Sequence, residues 1–527
     1  MKRTNEALAE AQADLGGLLN WTDANHEQCI IWKQISWEVL MYVDGYYNTY
    51  DSSVWYLHRG LKDVVYELLH IASPAATDLI IQFFTTEQLL QYFEQDDEDE
   101  EKYLFSTGFL LRRVLLRKLV CRLDGQSAFD FLNTRSKDGQ TALFCPHWPN
   151  ESADELMQIL QSLNSAEKYL ASLSAVCDNG EPMLFTVWPG PLNKILSTLT
   201  VSERHIVMNL KDASGRNILL VHGDLFSPKD MVDLLDLLSD DEYCFNLVSG
   251  KDNCNITPLF HVKADTMLAV LRRFETLQRR YPINITDDKG RTALHSCRFK
   301  QPAVTRELFD MFESEEFCYQ LLSTRDNSGK TPLFNIHPSA VIAVLTQFDS
   351  ELRFQLICMR DNKGRNIFHN SWRPDALAIS ELFTFLQSEE QCFQLLAMQD
   401  DAGKTPLSHF GVDSIVATLS RFGLEEQILL LEIIDNEGST PLHVYRYEKS
   451  SQPHFGKYME HFTTEQWFKP LALQNNVGQT PLFYWHSPSV ITALSKLTND
   501  QQMYLIDTRN HRGQTFLHNG GCLQLHG

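Results

Sequence analysis

The 527-residue chain is short of positive charge, of paired cysteines and of long apolar runs, and each shortage removes a class of protein. Sixty-eight acidic residues face 46 basic ones, a formal net charge of −22, so the summed field repels nucleic acid and anionic lipid. Eleven cysteines form an odd set without a Cys-x-x-Cys pair, which fits reduced thiols in the cytosol and not a disulfide framework. Nowhere do about 18 uncharged apolar residues run together, and no apolar core follows the basic start of residues 1–17. Neither a transmembrane segment nor a Sec-type signal peptide is therefore expected. Also missing are a Gly-x-Ser-x-Gly elbow, a phosphate-binding glycine loop and a His-Glu-x-x-His pair, so no catalytic, cofactor or metal residues are assigned.

What the chain does have is recurrence. Eleven times between residues 138 and 515 a polar turn precedes an apolar pair, with glycine at Gly139, Gly180, Gly215, Gly290, Gly329, Gly364, Gly403, Gly438, Gly478 and Gly513, and Asn255 once in its place. Intervals of 35 residues alternate with intervals of 39–41, so the duplicated element is a pair of repeats, 74 residues in the cleanest stretch. Glycine and asparagine take positive φ most readily, so a backbone requirement accounts for the exchange. A fixed period in this range marks a solenoid, in which each repeat buries its apolar face on its neighbours.

The recurring phrase, clearest at residues 435–443 and 326–334 and related at 287–295, 361–369, 400–407 and 475–483, resembles the ankyrin signature Asp-x-x-Gly-x-Thr-Pro-Leu-His. The resemblance implies that Asp, Gly and Thr organise a tight turn, that Pro starts a helix and that His ties neighbours by hydrogen bonds. It assigns those roles to Asp435, Gly438, Thr440, Pro441 and His443, and to the matching Thr331, Pro332, His295 and His369. Two departures make this a divergent, ankyrin-like case: the repeats exceed the usual ~33 residues, and large residues such as Val444 and Tyr445 follow the His. The expected fold is an all-α, ankyrin-like α-solenoid of alternating 35- and 39–41-residue repeats. Residues 1–58 form a helical N-terminal cap, 59–137 degenerate N-terminal repeats, and 138–527 the array with a C-terminal capping unit. In style the chain resembles proteins that intracellular bacteria deliver into host cells, which would place it in the host cytosol.

Within a repeat, Val341, Val344, Leu345 and Phe348 share one helical face and Ser350 opens a second helix. Ser388 with Gln391, Ser239 with Glu242 and Thr463 with Gln466 have capping-box spacing. Cys244, Cys318 and Cys392 recur at 74-residue intervals, and Trp467 takes the next equivalent place, so this is a packing position.

Four histidines, His295, His369, His443 and His518, hold the signature place along an extended axis, which favours structural hydrogen bonding over a convergent site. A second set, His147, Trp188, His337, Trp372 and His486, sits eight residues after a turn glycine; it suits a packed or partly exposed corner before a helix, or a peptide-binding ladder of rings. Turn cations Arg325, Lys330, Arg360, Lys363, Arg365 and Lys404 are candidate partner contacts. His26 and Cys29 are the raw material of nucleophilic catalysis but lack a flanking signature. The acidic run 96–101 reads as a solvated loop, and the basic helix around Arg112, Arg113, Arg117, Lys118 and Arg122 as one that packs by its leucines. The leading expectation is a nonenzymatic scaffold or adaptor that binds a protein partner of open identity and no nucleic acid. The alternative is a ligase adaptor or enzyme whose first hundred or so residues recruit or modify what the repeats select.

Overall fold

The computed structural model describes residues 86–93, 109–144, 148–297, 299–369, 376–386, 388–444, 458, 461–485 and 487–518. The expected cap at 1–58 with His26 and Cys29, the acidic run 96–101, and His147, Trp372 and His486 lie outside those residues. The chain falls into two compact bodies, Met1–Leu247 and Val248–Gly527. Among the described residues both are helical, and strand-like pairing is limited to isolated bridges such as Trp148 with Val187. No helix of the described residues is long and apolar enough to cross a membrane.

The stretch after Gly329 shows how the sequence makes these elements. Thr331 is extended and Pro332–Phe334 forms one 3-10 turn. Proline suits the first position because the N–H it lacks would have no intrahelical partner there. The helix Pro338–Leu345 follows, with Val341, Val344 and Leu345 buried together with Phe348 just beyond its end. A second helix, Ser350–Cys358, is capped by Asp349, whose carboxylate accepts the Leu352 N–H at 2.8 Å. The cap thus falls one residue before the serine, on the charged and stronger acceptor. Arg353 then donates from Nε to the Leu345 carbonyl at 3.0 Å, pinning the second helix to the C-terminus of the first. Arg279 does the same to Leu271, and in the first body Arg204 to Leu196.

Other caps follow the sequence unevenly. Thr463 and Gln466 form the reciprocal box, whereas Ser388 accepts the Gln391 N–H without a return bond. Ser239 does not cap: it turns left-handed at φ +61° to close the helix Pro228–Leu238, and Asp240 accepts the N–H groups of Glu242 and Tyr243 instead.

Equivalent helices cover one another's apolar stripes. In the second body Ala264–Arg272 packs on Pro302–Asp310, that helix on Pro338–Leu345, and so on through Ala376–Leu386 and Val412–Leu419. A second row runs beside it, with Glu315–Ser323 against Ser350–Cys358 and Glu389–Ala397 against Leu424–Glu432, followed by Thr464–Ala472 and Asn499–Asp507. The first body repeats the scheme with Phe109–Val120, Ala153–Gln161, Pro189–Thr198 and Pro228–Leu238. Cys244, Cys318 and Cys392 are buried, each thiol donating to a carbonyl nine residues back, and Trp467 is buried at the equivalent place. The described cysteines are all free thiols.

Candidate interaction surface

The polar turns form a continuous row in the second body. Each is closed by an acidic or amide side chain: Asp326 Oδ1 accepts the N–H of Ser328 at 2.8 Å and of Lys330 at 2.9 Å, and Asp287, Asp361, Asp400, Asp435, Asn475 and Asn510 do likewise. The chain then reverses through a residue of positive φ, +77° at Gly329 and +60° at Asn255. Carboxylate and amide oxygens compete well for backbone donors in such turns.

Neighbouring turns are bonded to each other by the residue after that Asp or Asn. Asn362 donates its backbone N–H to the Ser328 carbonyl at 2.9 Å and its side-chain amide to the Asn327 carbonyl at 2.9 Å. Asn327, Asn436 and Asn476 make the same pair of bonds to the turn before them. The sequence signal for this asparagine ladder is Asn after Asp or Asn at 327, 362, 436 and 476; at Asp288, Asp401 and His511 the backbone N–H alone reaches the turn before. A charge-neutral amide is needed because a carboxylate has no hydrogen to give a carbonyl.

Behind the turns, the signature histidines cross from one repeat to the next. His295 Nδ1 accepts the Thr292 N–H at 3.0 Å, and its Nε2 meets the Lys330 carbonyl at 3.1 Å. His443 bridges Thr440 and Gln479 in the same way, and His369 bridges Asn366 and Lys404. Since a backbone amide only donates and a carbonyl only accepts, the ring is a neutral imidazole with its proton on Nε2. Burial lowers the affinity of all three rings for a second proton, to about 4 at His369.

Where phenylalanine or serine replaces that histidine, the preceding threonine keeps its place but loses its partner. The hydroxyls of Thr257, Thr331, Thr405 and Thr480 are buried with no hydrogen-bond partner among the described residues, while Thr440 Oγ1 lies 2.9 Å from His443 Nδ1. An unpaired buried hydroxyl costs about 1–3 kcal/mol. Thr331→Val is accordingly expected to be neutral or to stabilise by up to about 1 kcal/mol, and Thr440→Val to destabilise by about 1 kcal/mol. Paired urea melts check this; equal losses at both positions would contradict it.

The sequence-derived contact residues divide into three groups. Arg325, Arg360 and Lys363 are exposed, and their charged groups make no hydrogen bond or ion pair among the described residues. Lys330 and Lys404 are half-buried and serve by their backbones. Arg365 is committed elsewhere: its guanidinium grips the buried Asp361 carboxylate by Nε at 2.9 Å and Nη2 at 2.6 Å. Burial pushes that carboxyl up, but these bonds and the N–H groups of Arg365 and Lys363 outweigh it and hold Asp361 below its ordinary range.

Of the second ring set, His337 is exposed, with Nδ1 2.8 Å from Ser339 Oγ, and Trp188 is half-buried. Both lie in a seam where extended segments meet, His337 N–H on the Phe299 carbonyl at 3.1 Å and Trp188 N–H on the Trp148 carbonyl at 3.1 Å. Nearby, Trp148, Phe299 and Trp485 are fully buried, nine residues after a turn glycine in the first two cases and seven in the third. Trp148 and Trp485 donate Nε1 to the carbonyls of Leu143 and Leu442. Among the described residues no three His, Cys, Asp or Glu side chains converge as a metal site.

No protein-family model matches the chain, and no curated protein matches it in sequence.

Proposed function

We propose that this protein is a nonenzymatic binding scaffold, an ankyrin-like α-solenoid whose row of polar turns in the second body is the recognition surface for another protein. The observation that carries this reading is the division of labour within the turns. Their backbones are locked to one another through Asn327, Asn362, Asn436 and Asn476, while Arg325, Arg360 and Lys363 stay exposed. A surface fixed in this way loses little conformational entropy on binding. Repeats of this kind give a long rigid face, and the chemistry brought together on it is hydrogen-bonding and charged.

The test is a photoreactive residue placed at exposed Ser328 on the turns and, separately, at exposed Leu429 on the second-row helix Leu424–Glu432. Saturable crosslinking of a discrete protein at Ser328 is the expected result. Crosslinking at the helix position alone would move recognition off the turns, and no saturable crosslink at either would remove the scaffold reading.

A further inference from the structure

The exposed charge on the turn row is not evenly spread. From the start of the second body, four consecutive turns present Lys251, Lys289, Arg325, Arg360 and Lys363 as exposed cations. The acidic groups of the same turns are mostly withdrawn. Asp287 and Asp361 are buried against Arg291 and Arg365, and Asp252 and Asp326 are half-buried, accepting backbone N–H bonds. Asp288 is the one exposed carboxylate there, and it accepts from Asn255 Nδ2 at 2.7 Å. The next two turns reverse the sign, with Asp401 and Glu437 exposed.

Arg325 and Arg360 are also released from a job that their register performs elsewhere. Four places before the turn glycine, Arg135 donates to both the Gly139 and Val176 carbonyls, and Gln399 and Gln474 bridge their own and the following turn in the same fashion. Arg325 and Arg360 occupy that same register and make no such bond. Because adjacent turns touch through Asn327 and Asn362, the free cations lie on successive rungs of one rigid row.

Resting on the scaffold reading, we propose that the row from Lys251 to Lys363 binds an acidic peptide segment of the partner, carboxylates meeting the cations rung by rung. Charge complementarity selects this occupant. A long polyanion such as RNA would also meet the field of a chain with net charge −22. A short acidic segment meets only the local patch, because salt screens charges beyond about 8 Å at physiological ionic strength.

The experiment is fluorescence anisotropy of a fluorescein-labelled oligo-glutamate peptide on the full chain over a salt series. It compares wild type with Arg325→Glu/Arg360→Glu/Lys363→Glu and with a control set at exposed cations off the turns, Lys229→Glu/Lys263→Glu/Lys469→Glu. The expected result is salt-sensitive binding by wild type and the control set, weakened roughly tenfold or more in the turn variant, and retained in the charge-keeping Arg325→Lys/Arg360→Lys/Lys363→Arg. Circular dichroism confirms that each variant is folded. Equal binding by the turn variant and wild type, no binding by wild type, or tighter binding of a single-stranded RNA homopolymer overturns the proposal. In any of those cases, saturable crosslinking at Ser328 still decides the scaffold reading by itself.

Discussion

Gly329→Ala is expected to destabilise the second body by about 3 kcal/mol, far more than a glycine in an ordinary turn would suggest. Two costs add. At φ +77° an L-residue crowds its own carbonyl, worth roughly 1–2 kcal/mol. In addition, a Cβ built there would stand 2.7 Å from the backbone nitrogen of Asn362, an atom fixed by its bond to Ser328 and unable to retreat without breaking the row. Gly513 separates the terms, since its φ is +72° but a Cβ there meets nothing within 4 Å, so Gly513→Ala should lose only about 1–2 kcal/mol. Asn255 shows what can offset the contact: its amide donates to the carboxylate of Asp288 in the following turn. Gly329→Asn is therefore expected to regain part of the loss when combined with Asn362→Asp, which rebuilds the 255–288 pair at positions 329 and 362. Urea melts of the single and double variants give the numbers, and equal losses at Gly329 and Gly513 would mean that the approach of neighbouring turns has no energetic weight.

That close approach explains which parts of the molecule were legible in sequence. Turn glycines, the apolar set Val341, Val344, Leu345 and Phe348, and the bridging histidines all answer to local rules repeated many times, and repetition makes a weak local signal readable. In sequence Arg365 looks like the free turn cations around it. Only the fold reveals that Asp361, four residues earlier, is buried and needs a counter-charge. The spacing from glycine is the same for every His or Trp of the second ring set, but burial cannot be read from it: the fully buried rings nearby are Trp148, Phe299 and Trp485. Charge distribution along the turns was invisible in the net value of −22, because it depends on which carboxylates are buried and which cations make no bond.

Mild acid is expected to weaken the second body before the carboxylates titrate. His295, His369 and His443 each have a folded pKa below the ordinary 6.5, because a charged ring would be buried and its Nδ1 already accepts a backbone N–H. A depressed value means that the unfolded chain binds protons more readily than the fold, so stability is full above about 6.5 and falls as pH drops toward the folded value. For His369, with a folded value of about 4, that interval corresponds to about 3 kcal/mol by pH 4. The nearby ring of His409, also held low by burial, adds repulsion in the same direction, and Asp400 opposes it. Asp361 acts later, since its depressed carboxyl gives up stability only in the range below that of ordinary carboxylates. His369→Phe separates the two effects. Phenylalanine holds the equivalent place at Phe334 and Phe483, so the ring volume is tolerated, and the variant should lose stability at neutral pH but show a flatter pH dependence between about 6.5 and 4. Hydrogen exchange across that range would place the opening at the repeats joined by the three histidines; a slope unchanged by His369→Phe would show that the buried ring does not govern the acid response.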